Sequence, residues 1–323
     1  MPPASTPLPE VPGGKGLLIL RNPRSGVSVV RADPAELLAA RLPAAVVREL
    51  GEDEDLEDVV AEAMATDPAP LVFGIYGGDG SVSRMAHLAR RYDRPLLAMP
   101  GGTFNHFVRA LGIEDVDTAI DALQAGSAVT VGVVEATADD EEPITVLNVV
   151  SAGAYPELVE ERERRSSLGK WLGGVAATWT ALRRAEPLTI TRDGRRARVW
   201  SVFVSVGRND PERVATMQRR DLAADVLDVR IHHARGTRVR ALASLAFGKR
   251  TAATLRAIHL FPRDADVERL VLPEIEVLVT PGPGRPSVFV HDGELVERDA
   301  AGFTLRCIAV PASLRVYAPS RDV

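Results

Sequence analysis

Cysteine, aromatic residues and long uncharged apolar runs are all scarce in this chain of 323 residues. A single cysteine, Cys307, excludes a disulfide framework and any multi-thiolate metal site, and fits a reducing cytoplasm. Aromatics make up 5% of the residues, too few for the stacking platforms that bind single-stranded nucleic acid. No apolar run approaches the roughly 20 residues that a membrane-spanning helix needs. Val199–Val206 (VWSVFVSV) has the length of a strand. Met1–Gly14 lacks the basic and apolar regions of a signal peptide and reads as a loose tail. The histidines, at 87, 106, 232, 233, 259 and 291, form neither HExxH nor HxH, so no zinc-type site is expected. What remains is an ordinary globular composition, 46% hydrophobic and 26% charged, expected of a soluble or peripheral protein.

The charge is unevenly spread. Met1–Pro143 carries 11 basic and 23 acidic residues, a net of −12, and the remainder carries 28 basic and 21 acidic, a net of +7. Between Arg162 and Arg256 the bias steepens to 21 basic against 8 acidic. An acidic first half and a basic second half suit two domains, since single cores rarely grow past roughly 250–300 residues. The basic part suits an anionic partner, and lipid headgroups fit better than nucleic acid. No reading helix, zinc finger or RNP-like segment accompanies the arginines. Solvated arginine on an ordinary surface accounts for the same bias equally well.

Short apolar runs alternate with helical stretches in the first half. Gly16–Leu20, Leu71–Ile75 and Pro95–Met99 read as buried strands, and Ala35–Ala40, Leu56–Met64 and Ser83–Arg91 as helices. Strand–loop–helix units of this kind imply a parallel sheet with ligand loops at the carboxyl ends of its strands. After Gly126 the runs turn β-branched: Val129–Ala136, Ile144–Val150, Leu188–Arg192, Val199–Val206, Val226–His232, Leu270–Thr280, Ser287–His291 and Phe303–Tyr317. Two helical inserts, Glu157–Ala185 and Arg238–Phe247, interrupt a mainly antiparallel, two-sheet pattern.

Three turns share one design. Asn22–Gly26 (NPRSG), Gly77–Ser81 (GGDGS) and Gly101–Thr103 (GGT) each follow a strand and open toward a helix. Glycines let the backbone approach a phosphate and aim successive N–H groups at it. Neither GxxxxGK[ST] nor a GxGxxG opening the first helix is present. A lone glycine turn is usually steric in origin, whereas three on successive strand ends point to a phosphate site. Asp79 stands out among them, because an acid beside a phosphate needs a divalent cation or a donating hydroxyl between them. The alternative is a helix cap or Asx-turn. His291-Asp292-Gly293-Glu294 follows a strong strand, and its acids read either as a pair facing one cleft or as an ordinary DG hairpin.

NPRSG, GGDGS, PGGTFNHF (Pro100–Phe107) and DGE (Asp292–Glu294) stand in the order seen in the diacylglycerol kinase catalytic family, which the chain resembles from Leu17 to about Tyr317. That family includes bacterial lipid kinases and the eukaryotic sphingosine and ceramide kinases. Gly153–Glu163 and Leu168–Trp171 are similar to a bacterial subgroup. The resemblance implies an α/β + β architecture. Its first part is a three-layer, parallel-sheet nucleotide-binding domain like that of NAD kinase and phosphofructokinase, over residues 1–130 with the returning segment 306–323. Its second part is a mainly antiparallel β-sandwich that takes the lipid, over residues 131–305.

The resemblance further implies ATP and Mg²⁺ as cofactors. Asn22, Pro23, Ser25, Gly26, Gly77, Gly78, Asp79, Gly80, Ser81, Gly102, Thr103 and Asn105 would bind the nucleotide. Asp79 would lie near Mg²⁺ or the acceptor hydroxyl, and Glu294 would accept the proton with Asp292 in support. Three departures stand out: Ser81 for the family's threonine, His106 for a carboxylate, and Ala224–Val229 (ADVLDV) for DGxLDV, where a structural Mg²⁺ site would fall to Asp225. The expected activity is ATP-dependent phosphorylation of a lipid hydroxyl, diacylglycerol leading, by a cytoplasmic protein peripheral to anionic membranes. Another lipid alcohol as acceptor, a homodimer, and a non-catalytic nucleotide- or lipid-binding homologue stay open. Cys307 is expected in the core, and the Trp171–Trp179 helical face either packs there, the favoured reading, or dips into the membrane interface beside Lys170, Arg183 and Arg184.

Overall fold

A computed structural model describes residues 7–22, 34–102, 105–153, 186–208, 219, 222, 225–234, 267–283, 285–298 and 301–320. The expected helical inserts, the Trp171–Trp179 face, Pro23, Ser25, Gly26 and Thr103 lie outside them. In chain order the elements are β1 (Leu17–Arg21), α1 (Ala35–Arg41), β2 (Val46–Glu49), α2 (Leu56–Met64), β3 (Val72–Gly77), α3 (Asp79–Arg91), β4 (Leu96–Pro100), α4 (His106–Ala110), α5 (Val116–Gln124) and β5 (Ala128–Ala138). Then come β6 (Ile144–Val146), β7 (Val149–Gly153), β8 (Leu188–Arg192), β9 (Arg195–Val206), β10 (Leu227–His233), β11 (Val267–Leu272), β12 (Glu274–Thr280), β13 (Ser287–His291), β14 (Glu294–Arg298) and β15 (Phe303–Tyr317). The chain divides into unit 1 (Met1–Val133, Asp221–Asp225 and Val310–Val323) and unit 2 (Val134–Arg220 and Val226–Ala309).

Unit 1 is an α/β fold on a parallel sheet ordered β4-β3-β1-β2, with the end of β15 joining β4 in parallel at Val316 opposite Leu96. β4 is buried throughout and β3 nearly so, as central parallel strands are. α2 begins where Asp55 accepts the Glu57 N–H, and it buries Leu56, Val59 and Val60 at spacings of three and four. α5 begins in the same way, Asp115 accepting from Thr118. α3 buries Val82, Met85, Ala86, Leu88 and Ala89, which fixes the helix that follows the middle glycine loop.

Unit 2 is antiparallel. Its strands run β14-β13-β7-β9-β8-β12-β15, with β10 and then β11 added on β9. Its core is largely valine, leucine and isoleucine with Phe289, Phe303 and Cys307. Burial pushes the Cys307 thiol up to about 12, so it is inert packing, as expected. The α/β plus antiparallel β architecture expected from the chain is present. Two details differ. Leu270–Thr280 is two strands, because Pro273 has no N–H to donate and offers only its carbonyl, which accepts from Ala309. β2, which no hydrophobic run announces, is a short edge strand with Val46 63% exposed.

His232 is buried in β10, with its Nδ1 2.8 Å from Ser201 Oγ on β9 and the Phe203 ring edge-on. Burial, then the Arg230 and His233 charges, lower its pKa from 6.5 to about 4. The unfolded chain therefore takes up this proton first as pH falls. The stability tied to the neutral ring is complete above 6.5 and is lost on going down toward 4. Urea unfolding at about pH 7.5 and about pH 4.5 should show the wild type losing about 2–3 kcal/mol more than a His232→Asn variant. Identical losses would refute the assignment.

Candidate active site

The carboxyl ends of β1, β3 and β4 lie side by side, with Arg21 opposite Tyr76 and Gly77 opposite Pro100. The Asn22 N–H donates to the Tyr76 carbonyl at 3.1 Å, and the Gly101 N–H to that of Gly77 at 2.9 Å. The two inner loops touch backbone to backbone. A β-carbon on Gly101 would stand 2.7 Å from the Gly77 nitrogen, and one on Gly102 would stand 2.6 Å from the Gly78 Cα. Main-chain atoms cannot swing aside, so both positions take only glycine.

Polar side chains lock this contact. Asn105 adopts a left-handed backbone (φ 52°), is 1% exposed, and forms a reciprocal pair of 2.8 Å bonds with the Gly102 N–H and carbonyl. Asn22 Nδ2 donates to Ser81 Oγ at 2.8 Å, joining the first loop to the second. The capping role open to Asp79 falls instead to Gly78, which has no side chain, and Asp79 takes the first helical position of α3. Its half-buried carboxylate lies 3.5 Å from the Phe107 nitrogen in the first turn of α4, at the outer limit of a hydrogen bond. Unit 1 thus gathers Asn22, Gly77–Ser81, Gly102 and Asn105 at one sheet end.

Unit 2 holds the other acids. β13 and β14 meet in a two-residue hairpin with His291 opposite Glu294, and Asp292 and Gly293 both have positive φ (48° and 93°), the pattern of a type I′ turn. The Asp292 carboxylate faces inward. Its Oδ2 accepts the Leu147 N–H at 2.7 Å, and its Oδ1 those of Asn148 at 2.8 Å and Val149 at 3.1 Å. Asp292 therefore braces the turn, and half-buried Glu294 follows it on β14. Asn148 Oδ1 and His291 Nδ1 are buried beside this brace without a hydrogen-bond partner. Sequence reasoning passed over Asn148, although it is the one amide in the apolar run ITVLNVV.

Asp225 is exposed just ahead of β10. The buried acid of its segment is Asp228, which accepts from Arg269 Nε at 2.9 Å and has Arg230 3.6 Å away. Among the described residues no three His, Cys, Asp or Glu side chains converge as metal ligands. Unit 2 also contains a recess of about 150 Å³ lined by residues that include Leu188, Val279, Val288, Phe303 and Arg285. It is about the size of a cavity that takes benzene, far short of a diacyl lipid.

Residues 16–136, which include Asn22, Gly77–Ser81 and Gly101–Asn105, match the model of the diacylglycerol kinase catalytic domain. That stretch, a little over a third of the chain, is similar to that family. Two proteins of Pseudomonas aeruginosa, strains UCBPP-PA14 and PAO1, named "Probable lipid kinase YegS-like", are 35% identical over 174 and 172 residues, 53% of this chain and 54% of each relative. The chain thus spans about half the length of the curated relatives it matches. A diacylglycerol kinase structure from Bacillus anthracis str. Sterne matches with a TM-score of 0.57 at 14% identity, over 94% of this chain and 96% of that one. Another protein of the same strain, described as "a putative diacylglycerol kinase", reaches 0.60 at 18%, over 94% and 97%. Such identities speak for the fold, an α/β domain followed by a β-sandwich.

Two outcomes follow from this geometry. Asp292→Ala strands three buried N–H groups and should cost about 3 kcal/mol in urea unfolding, whereas Glu294→Ala should stay within about 0.5 kcal/mol. Equal costs would show that Asp292 is no brace. Gly102→Ala, which forces the two loops apart, should lower stability by about 1–3 kcal/mol, and an unchanged melting temperature would contradict the contact.

Proposed function

We propose that this chain is an ATP-dependent lipid kinase that transfers the γ-phosphate to a lipid hydroxyl, with diacylglycerol as acceptor and phosphatidic acid as product. The observation that carries the reading is the side-chain-free contact of the Gly77–Gly78 and Gly101–Gly102 segments, with Asp79 heading α3, inside residues matched by the diacylglycerol kinase model. Phosphoryl transfer has a loose transition state, so a protein contributes mainly position and charge neutralisation. Backbone N–H groups at a helix start with a glycine cap suit that task.

The residues present fit a nucleotide that brings its own metal. Gly77–Ser81 and Gly102 offer approachable main chain, and Asn22 and Asn105 hold the loops in shape. Asp79 is the acid among these loops and would face the Mg²⁺ of Mg-ATP, which supplies the activated phosphoryl group. Glu294 would take the proton of the acceptor hydroxyl on its carboxylate, and Asp292 keeps the turn beneath it rigid. No helix among the described residues is long and apolar enough to cross a membrane.

Transfer of labelled γ-phosphate from Mg-ATP to mixed micelles of diacylglycerol, sphingosine or a polyprenol tests this. Product should form on diacylglycerol. Asp79→Asn and Glu294→Gln should each lower turnover by about 10²–10⁴-fold with melting temperatures unchanged. Product on another alcohol alone would replace the acceptor. ATP binding without product on any lipid, or full activity in a folded Asp79→Asn chain, would overturn the kinase reading.

A further inference from the structure

Several surface arginines of the chain have acid partners: Arg41 with Asp117 and Asp121, Arg48 with Glu54 and Glu62, Arg298 with Asp139 and Glu141, and Arg315 with Asp93. The β8–β9 hairpin breaks this pattern. Its tip reads Arg192-Asp193-Gly194-Arg195-Arg196-Ala197-Arg198, with a single acid that pairs with Arg192 at 3.4 Å. Arg195, Arg196 and Arg198 are exposed and have no acid partner among the described residues.

Strand register decides where they point. Thr191 is opposite Arg196 and Thr189 opposite Arg198, while on the next strand Leu278 is opposite Thr191 and Thr280 opposite Thr189. Directly opposed residues of antiparallel strands share a face. Arg196, Arg198, Thr189, Thr191, Thr280 and Leu278 therefore form one surface across β9, β8 and β12. The residues between them, Ile190 and Val279, are 4% and 2% exposed and belong to the core on the other side. Leu278 is 43% exposed on the arginine side.

We propose that this face docks onto an anionic lipid bilayer. Unpaired guanidinium groups bind phosphate in fork geometry and need not give up an internal ion pair to do so. Short threonines let the strand face lie close to a flat surface, and an uncovered leucine beside the arginines is the mixture that enters the headgroup region. Each arginine near an anionic membrane strengthens binding by roughly fivefold. The inference rests on the lipid-kinase reading for its purpose, but vesicle binding can be measured without turnover.

The full chain would be sedimented with vesicles of phosphatidylcholine alone or mixed with phosphatidylglycerol. Binding should require phosphatidylglycerol and fall at about 1 M salt, where screening shortens to ~3 Å. The variant Arg196→Gln/Arg198→Gln should partition about 25-fold less, and Leu278→Ser should bind less well. Both should keep the wild-type melting temperature and wild-type turnover in neutral micelles. Equal binding to neutral and anionic vesicles, unchanged partition of the arginine variant, or preference for a DNA duplex over the anionic vesicles would overturn the docking surface. Arginine-dependent vesicle binding by a chain without kinase turnover would uphold docking while removing the proposed function.

Discussion

The carboxyl end of the unit 1 sheet depends on two peptide segments touching with nothing between them. Gly101 and Gly102 pass so near Gly77 and Gly78 that a methyl group at either would overlap main-chain atoms. That contact draws the ends of β3 and β4 into one ledge, and the Gly101–Gly77 hydrogen bond extends the strand pairing past their last residues. The αL turn at Asn105 and the Asn22–Ser81 bond then fix the flanking loops to the same ledge. Glycine serves sterics and chemistry together here: the absence of side chains that lets the loops meet also leaves their N–H groups approachable by a phosphate. A steric and a functional account of these glycines are one account.

The Asp292-Gly293-Glu294 turn shows the same economy. Read alone, DG after a strand is a hairpin, and two acids across a glycine are a catalytic pair; the structure makes it a hairpin whose first acid is consumed in holding it. Three main-chain donors converge on Asp292 in a buried setting, where unmet N–H groups would be costly. Glu294, two residues later and on the same short turn, has no such set of amides and stays half-buried. Two neighbouring carboxylates thus sit in different surroundings, one consumed in bracing the turn and one left beside it.

Legibility followed pattern strength. β1, β3 and β4 were readable because central parallel strands are continuous apolar runs, and the glycine loops because φ and close approach leave a residue-type signature. β2 was not, since an exposed edge strand of four residues has no buried face to mark it. α5 was passed over although Asp115 and Thr118 form a cap that sequence can display. Pro273 could have divided the Leu270–Thr280 run, but only pairing shows that the halves serve different neighbours, β10 on one side and β8 with β15 on the other. The Asp292 brace was invisible for a deeper reason: its partners are main-chain groups about 145 residues away, and main chain has no letter in a sequence.

The charge distribution constrains how a nucleotide could be held at all. The first 143 residues have a net charge of −12, the wrong sign for a polyphosphate at long range. Under physiological salt that field fades within ~8 Å, so affinity has to come from groups in direct contact. Oriented peptide dipoles meet this need without basic side chains, and their strength falls off within the first helical turn, which keeps them local. An acid at position 79 would defeat such a nest if the phosphates came bare. It becomes useful once a divalent cation accompanies them, since the cation inverts the local sign. For the proposed nucleotide, the acidic first 143 residues and the Asp79 carboxylate suit a metal-bound form better than a free one.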